Sequence, residues 1–346
     1  MIKKKILVTG GSGYFGENLL SKLLYNNYAC SSLDVNLPDD KLINKIKFFK
    51  YDIRNKEKIF KASKNVDVII HCVAQVPLAK KKKLFESVNY QGTKNILEAA
   101  YYNKCNHFIY VSSSAVFGVP QSNPVNETSP TFPKEDYGKA KLDGEKLTHE
   151  YSKKGLKATI IRPRTILGDG RLGIFQILFE WIYQGKNVPV FDGGKNIYQF
   201  VHSNDLCEAI ILCIKKKKYG VYNIGAENYG TMLETLNALI IYARSNSKIR
   251  SLNSRYIIPF MNLFSYLALS PLGAYHSLMY GRSLYFDITK AKKELDWNPN
   301  YSNIEMMIES YEWYLKNREN VYLKKGGSHH KSIVKQKILS LFSKFL

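Results

Sequence analysis

Residues 112–114 are three consecutive serines, and Tyr137 and Lys141 follow them in the spacing Tyr-x-x-x-Lys. A hydroxyl, a phenol and an amine one helical turn further on can together move the proton of a secondary alcohol. Tyrosine titrates at about 10 and is a poor base at neutral pH. An ammonium close by stabilises the phenolate and lowers that value. The phenolate can then take a hydroxyl proton while a serine holds the substrate oxygen. A second Tyr-x-x-x-Lys, Tyr90 to Lys94, has no comparable hydroxyl cluster before it. The candidate catalytic residues are therefore Ser113, Tyr137 and Lys141.

Oxidising an alcohol also needs a hydride acceptor, and the first residues suggest where one sits. The apolar run ILVT (6–9) breaks into Gly10, Gly13 and Gly16, spaced G-x-x-G-x-x-G, before leucines 19, 20, 23 and 24 recur at helical spacing. Glycines between a buried strand and a helix N-terminus let backbone N–H groups approach a pyrophosphate, whose charge the helix dipole favours. Asp34 ends the next strand, where a carboxylate accepts from ribose hydroxyls and repels a 2′-phosphate. No arginine follows it, so NAD rather than NADP is the expected cofactor. Asp52 is equally placed to accept from an adenine amino group or to serve as a turn residue before Arg54.

The elements that must carry these residues alternate. Strands are expected at 6–9, 28–35, 46–53, 66–74, 107–113 and 157–163, and helices at 88–102 and 136–154. Strand 66–74 is apolar throughout, as a strand covered on both faces should be. The pattern predicts an α/β fold with a doubly wound parallel sheet of Rossmann type. Beyond residue 165 a helix at 173–186, a strand running into a helix at 199–216 and a strand at 220–226 are expected. The division that follows is a dinucleotide-binding domain, 1–170, to which 196–226 returns. A smaller substrate lobe takes 171–195 and 227–322, and 323–346 form a basic tail.

Composition narrows the function. The 346 residues carry a net charge of +22, but the lysines are spread along the chain. The runs Lys80–Lys83 and Lys215–Lys218 lack the aromatic interleaving of a nucleic-acid groove and read as solvated loops or helix ends. No nucleic-acid partner is expected. Five cysteines without a C-x-x-C pair fit a reducing compartment and no metal site. The N-terminal lysines lead directly into the first strand, so a cytoplasmic protein is expected.

In order, "TGGSGYFG", "LDV", "YDIR", "HCVA", "VNYQGTKNILEAA", "SSSAVFG", "YGKAKLDGEK" and "IIRPRTILG" resemble the signposts of the extended short-chain dehydrogenase/reductases, in the NAD-dependent epimerase/dehydratase family. "QFVHSNDLCEAI", "YNIGA" and "YFDITKAKKELDWNPNYS" extend the resemblance to residue 302. It implies that Ser113, Tyr137 and Lys141 are catalytic. It implies a cofactor site of Gly10, Gly13, Tyr14, Phe15, Gly16, Asp34, Asp52, Ile53, Ala74, Asn89, Tyr137 and Lys141. It also implies a homodimer.

The chain departs from that family in informative places. Dehydratases of the family carry Thr-Asp-Glu where this chain has Ser113-Ser114-Ala115, so this chain lacks the acid and base of water elimination. Thr165 stands where many members have a diphosphate-binding asparagine, and Tyr198 or Gln199 where an arginine is usual. Ser114, Thr165, Tyr198 and Arg282 are the expected substrate contacts, with Arg171 and Arg250 as further candidate cations. The expected activity is C4 epimerisation of a nucleotide-activated sugar through a transient ketone. One alternative is a dehydrogenase of a lipophilic alcohol, resembling the 3β-hydroxysteroid branch. Another is a non-enzymatic NAD-binding regulator. The stretch 256–280 carries no Asp, Glu, Lys or Arg and reads as an apolar lid. In the tail, Ile333, Val334, Ile338, Leu341, Phe342 and Phe345 share a helical face, which allows a peripheral membrane contact.

Overall fold

A computed structural model describes residues 3–75, 82–266 and 278–323. Seven strands build one parallel sheet: β1 (Lys5–Thr9), β2 (Ala29–Asp34), β3 (Lys47–Lys50), β4 (Val68–His71), β5 (His107–Val111), β6 (Ala158–Pro163) and a late strand, Gly220–Ile224. Their order is late strand, β6, β5, β4, β1, β2, β3. The chain thus builds outward from β1 through β2 to β3, then crosses to β4 and builds the other way. The reversal lies between β1 and β4, where Val8 pairs with Ile70. A crevice opens at such a switch point beyond the carboxyl ends of the strands.

Helices cover both faces, as the continuous apolar strands require. Alternate residues serve opposite layers. Ile6, Val8, Val68 and Ile70 pack with Leu19, Leu20 and Leu23 of helix α1 (Tyr14–Tyr25) and with Leu206 and Ile210. Leu7 and Ile69 pack on the other side with Ile59, Ile96, Leu97 and Leu147. A third core, including Phe179, Phe200, Leu236, Met307 and Tyr314, lies under the later part of the chain. There, three two-stranded ribbons replace the large sheet.

Apart from the first, which is Lys5–Thr9, the expected strands are shorter in the structure, and the helix expected at 88–102 differs in kind. Residues Phe85–Gln91 are π-helical and become α-helical only at Gly92–Tyr102. The segment 297–301 is anchored by Asp205 to the helix Ser203–Lys215, which packs on the sheet. The Asp205 carboxylate accepts from the backbone N–H of Asn300 (3.1 Å) and Tyr301 (3.3 Å). The indole of Trp297 donates to the carbonyl of the same aspartate at 2.9 Å. The lysines at 215–218 end the helix Ser203–Lys215. Among the described residues no helix is long and apolar enough to cross a membrane. The tail face at 333–345 lies outside the described residues, as do positions 267–277 of the apolar stretch.

Candidate active site

A cleft of about 550 Å³ opens over the carboxyl ends of β1, β2, β4, β5 and β6. Its cofactor end is built from backbone. Gly10 follows β1 with φ +76, a conformation that favours glycine. A Cβ on Gly10 would lie 2.8 Å from the Val73 nitrogen, and one on Gly16 would lie 2.1 Å from the Gly10 carbonyl oxygen. Gly13 differs, since a Cβ there would meet only the Gly10 oxygen, at 3.2 Å, and would otherwise enter the cleft. Gly13 is also the N-cap of α1 and gives that helix no side-chain cap. The loop and helix start therefore form a cradle that a side chain would fill. An anion is the natural occupant. These features fit a dinucleotide.

Asp34 lines the cleft and steadies the same loop. It accepts from the Ser12 N–H at 3.1 Å and from the Asn36 N–H at 3.0 Å. Asp52 also lines the cleft and holds Arg54 in a two-point ion pair, which keeps its carboxyl below the usual range. Tyr14, Phe15, Ile53 and Ala74 complete this end. Asn89 does not line the cleft. Both its amide atoms are spent on Gln75, accepting from its N–H at 2.7 Å and donating to its carbonyl at 3.0 Å. It supports the wall, because Gln75 itself faces the cavity.

The catalytic candidates meet at the middle of the cleft. Glu135 caps the helix Asp136–Lys153 by accepting from the N–H groups of Tyr137 and Gly138. Tyr137 and Lys141 lie on one face of that helix. Ser113 caps the short 3-10 turn Ser114–Phe117 and lies within hydrogen-bonding reach of the Tyr137 phenol. Burial pushes that phenol up to about 12, against the bond from Ser113. Burial likewise brings the Lys141 amine down to about 8. The amine donates to the Val111 carbonyl at 2.7 Å, the end of the strand that leads to the serines.

A buried network fixes the spacing between helix and strands. Arg162 of β6 binds Glu145 through two bonds, of 2.9 and 2.7 Å, and Ser112 donates to the same carboxylate at 2.5 Å. Glu145 is one helical turn beyond Lys141, so this carboxylate clamps the helix that carries Tyr137 and Lys141 to the ends of β5 and β6. His71 is neutral, since burial drives its imidazole down to about 3, and it bridges Thr9 and Thr93.

The substrate end is made of side chains. Ser114, Thr165 and Tyr198 line it, and the last two share a hydrogen bond of 2.8 Å. Arg282 does not: it is exposed, and its neighbour Gly281 takes the lining position. Arg250 is also exposed. The cations that reach this end are Arg171, stacked at 5.7 Å over Tyr14 and 5.6 Å over Phe175, and Arg164. Arg164 sits in "RPRTILG", but nothing in its spacing marks it as a cavity residue. Apolar side chains, among them Ile174, Phe175, Phe191, Phe200 and Met232, make up much of the remaining wall.

The profile of the NAD dependent epimerase/dehydratase family matches residues 6–225. An uncharacterised protein of Sinorhizobium fredii, y4nG, is 49% identical over 98% of this chain and 86% of its own length. A putative UDP-glucose 4-epimerase of Methanocaldococcus jannaschii is 31% identical over 64% of this chain and 76% of its own. Among solved structures, a UDP-glucose 4-epimerase of Thermotoga maritima with UDP-glucose superposes with a TM-score of 0.76, at 23% identity, over 91% of this chain and 99% of that one.

Proposed function

The chain belongs to the NAD dependent epimerase/dehydratase family, and from that premise we propose that it epimerises C4 of a nucleotide-activated sugar through a transient ketone. The observation that carries this reading is the meeting of Ser113, Tyr137 and Lys141 in a cleft whose lining acids, Asp34 and Asp52, both lie at the cofactor end. A proton acceptor faces the middle of the cleft, and among the described residues no lining carboxylate stands beside it to drive elimination of water. The similarity to UDP-glucose 4-epimerases supports the choice of substrate class.

The glycine loop, the start of α1 and Asp34 would hold NAD, which when bound supplies the hydride acceptor and a positive ring beside Tyr137. Tyr137 takes the hydroxyl proton and later returns it. Ser113 holds the same oxygen through both steps. Lys141 lies one helical turn beyond Tyr137, fixed on the Val111 carbonyl, and Arg171 is the cation whose charge favours the ionised phenol. Glu145 and Arg162 hold the helix in register. Hydride returned from the bound cofactor to the opposite face would invert the carbon with no net redox change.

The test is to incubate the purified protein and NAD with UDP-glucose and resolve the C4 epimers by NMR. Appearance of the second epimer supports the reading. Net accumulation of a ketone with reduced cofactor would replace it with a dehydrogenase. One observation favours the second reading, oxidation of a lipophilic alcohol: the apolar wall from Ile174 to Met232.

A further inference from the structure

The amino ends of the sheet strands, opposite the cleft, border a second cavity of about 600 Å³. Residues that begin or precede β1, β4, β5, β6 and the late strand line it, and it shares no lining residue with the cleft. Five of its lining residues are lysines, Lys4, Lys104, Lys154, Lys157 and Lys217, against one acid, Asp67. The Asp67 carboxylate is engaged, accepting from the Lys5 N–H at 2.8 Å and from the Asn106 side-chain amide at 3.2 Å. None of the five lysines forms an ion pair with a described carboxylate.

Three helices end at this cavity, at Tyr102, Lys153 and Lys215. Each is followed by a left-handed residue: Lys104 with φ +54, Gly155 with φ +103 and Lys217 with φ +51. Glycine takes that conformation without steric cost, yet lysine stands at two of the three positions. A cation at a helix C-terminus also answers the helix dipole, so the lysines by themselves do not define a site.

His107 supplies the second observation. It lines the cavity although only 4% of its surface is exposed. The Thr159 hydroxyl donates its proton to the Lys218 carbonyl at 2.7 Å, so it accepts from His107 Nε2, also at 2.7 Å. Burial brings the imidazole down to about 4, with Lys4 a smaller cause, and the ring is neutral in ordinary buffers. A neutral ring with its proton on Nε2 leaves Nδ1 as an acceptor. Nδ1 has no partner among the described residues and is not sealed from solvent. Tyr219 stands edge-on to the ring at 4.9 Å and helps to fix it.

The cavity therefore offers several positive charges and one acceptor. Ammonium groups act as point charges and lack the planar fork that matches a carboxylate, so they suit a phosphate dianion. A phosphate dianion has no proton to give Nδ1, so the donor must be another group on the same molecule. We propose that this cavity is a second binding site, for a phosphate monoester that also carries hydroxyl groups. The lysines take the phosphate, and His107 accepts from a hydroxyl. The site stands apart from whatever reaction the cleft performs.

The experiment measures binding to the NAD-loaded protein by calorimetry at physiological salt, with glucose 6-phosphate, methyl phosphate and glucose as probes. Glucose 6-phosphate should bind about tenfold tighter than methyl phosphate, and glucose should not bind measurably. Lys104→Gly combined with Lys217→Gly should weaken both esters about tenfold. Glycine suits both left-handed positions, so the melting temperature and the Kd for NAD should hold. His107→Phe should erase the preference between the esters and leave methyl phosphate binding as it was. If His107→Phe fails to fold, the lysine variant still decides. Failure of glucose 6-phosphate to bind overturns the inference, as does binding that survives the lysine variant. Equal binding of the two esters by the wild type also overturns it, by reducing the cavity to a basic surface.

Discussion

The two ends of the cleft are built by different means. The cofactor end is backbone: a glycine loop packed so tightly that added carbons collide, and a helix start that no side chain caps. The substrate end is side chains, with Arg164, Arg171, Thr165 and Tyr198 set among apolar residues. A backbone site recognises what its ligands share, here a charged pyrophosphate. A side-chain site can be altered one position at a time. One family can therefore keep its cofactor while its substrates diverge.

The largest effect that would break this division is at the boundary. Tyr137→Phe removes only the proton acceptor, and turnover should fall about 10² to 10⁴-fold, with cofactor still bound when titrated by fluorescence. A variant retaining near-wild-type turnover would take Tyr137 out of the mechanism.

Next come the glycines. Gly16→Ala drives a methyl into the Gly10 carbonyl, 2.1 Å away, so both the melting temperature and NAD affinity should drop. Gly13→Ala meets only one atom, at 3.2 Å, and should weaken NAD binding while the melting temperature holds. If both variants melt alike and bind alike, the tight packing and the open cradle are not separate features.

A smaller effect separates stability from function at Lys141. Its folded pKa of about 8 lies below the ordinary 10.5, with burial the main cause. Below pH 8 the folded state carries the full cost of a buried ammonium. Between pH 8 and 10.5 the unfolded chain binds more protons, so stability rises with pH and the cost disappears. Lys141→Met should therefore stabilise the cofactor-free protein at pH 7, by up to about 3 kcal/mol, with the gain fading towards pH 10.5 in denaturant melts. A gain independent of pH would assign the effect to packing instead.

The smallest change is at Asp34. Asp34→Ala should narrow the preference for NAD over NADP by about tenfold, measured as the ratio of dissociation constants. A wild type that already prefers NADP would remove that role.

The same contrast explains how much could be read from the sequence. The strands from Lys5 to Pro163 and the glycine loop show as runs, breaks and spacings, because backbone constraints act locally. Asn89 stood at the right place in its motif, yet its work is to hold Gln75, which only the fold reveals. Arg282 and Arg171 looked alike as lone arginines, and the packing of Tyr14 and Phe175 decides between them. Arg164 is unreadable for the same reason: only the fold brings its guanidinium onto the Gln199 carbonyl and the Ser114 hydroxyl. The π-helical turn at Phe85–Gln91 has the same apolar spacing as an ordinary helix over so short a span.

The uncapped start of α1 bears on how long the protein survives in a cell. A dinucleotide would add hydrogen bonds to the helix's first N–H groups and charge beside the buried Lys141. A ligand that binds only the folded chain, at 100 times its Kd, adds about 2.7 kcal/mol of stability. The open population exposed to proteases falls about 100-fold with it. Where the dinucleotide pool shrinks, degradation should accelerate before catalysis is limited by cofactor. The helix terminus thus ties the protein's abundance to the redox currency of its host.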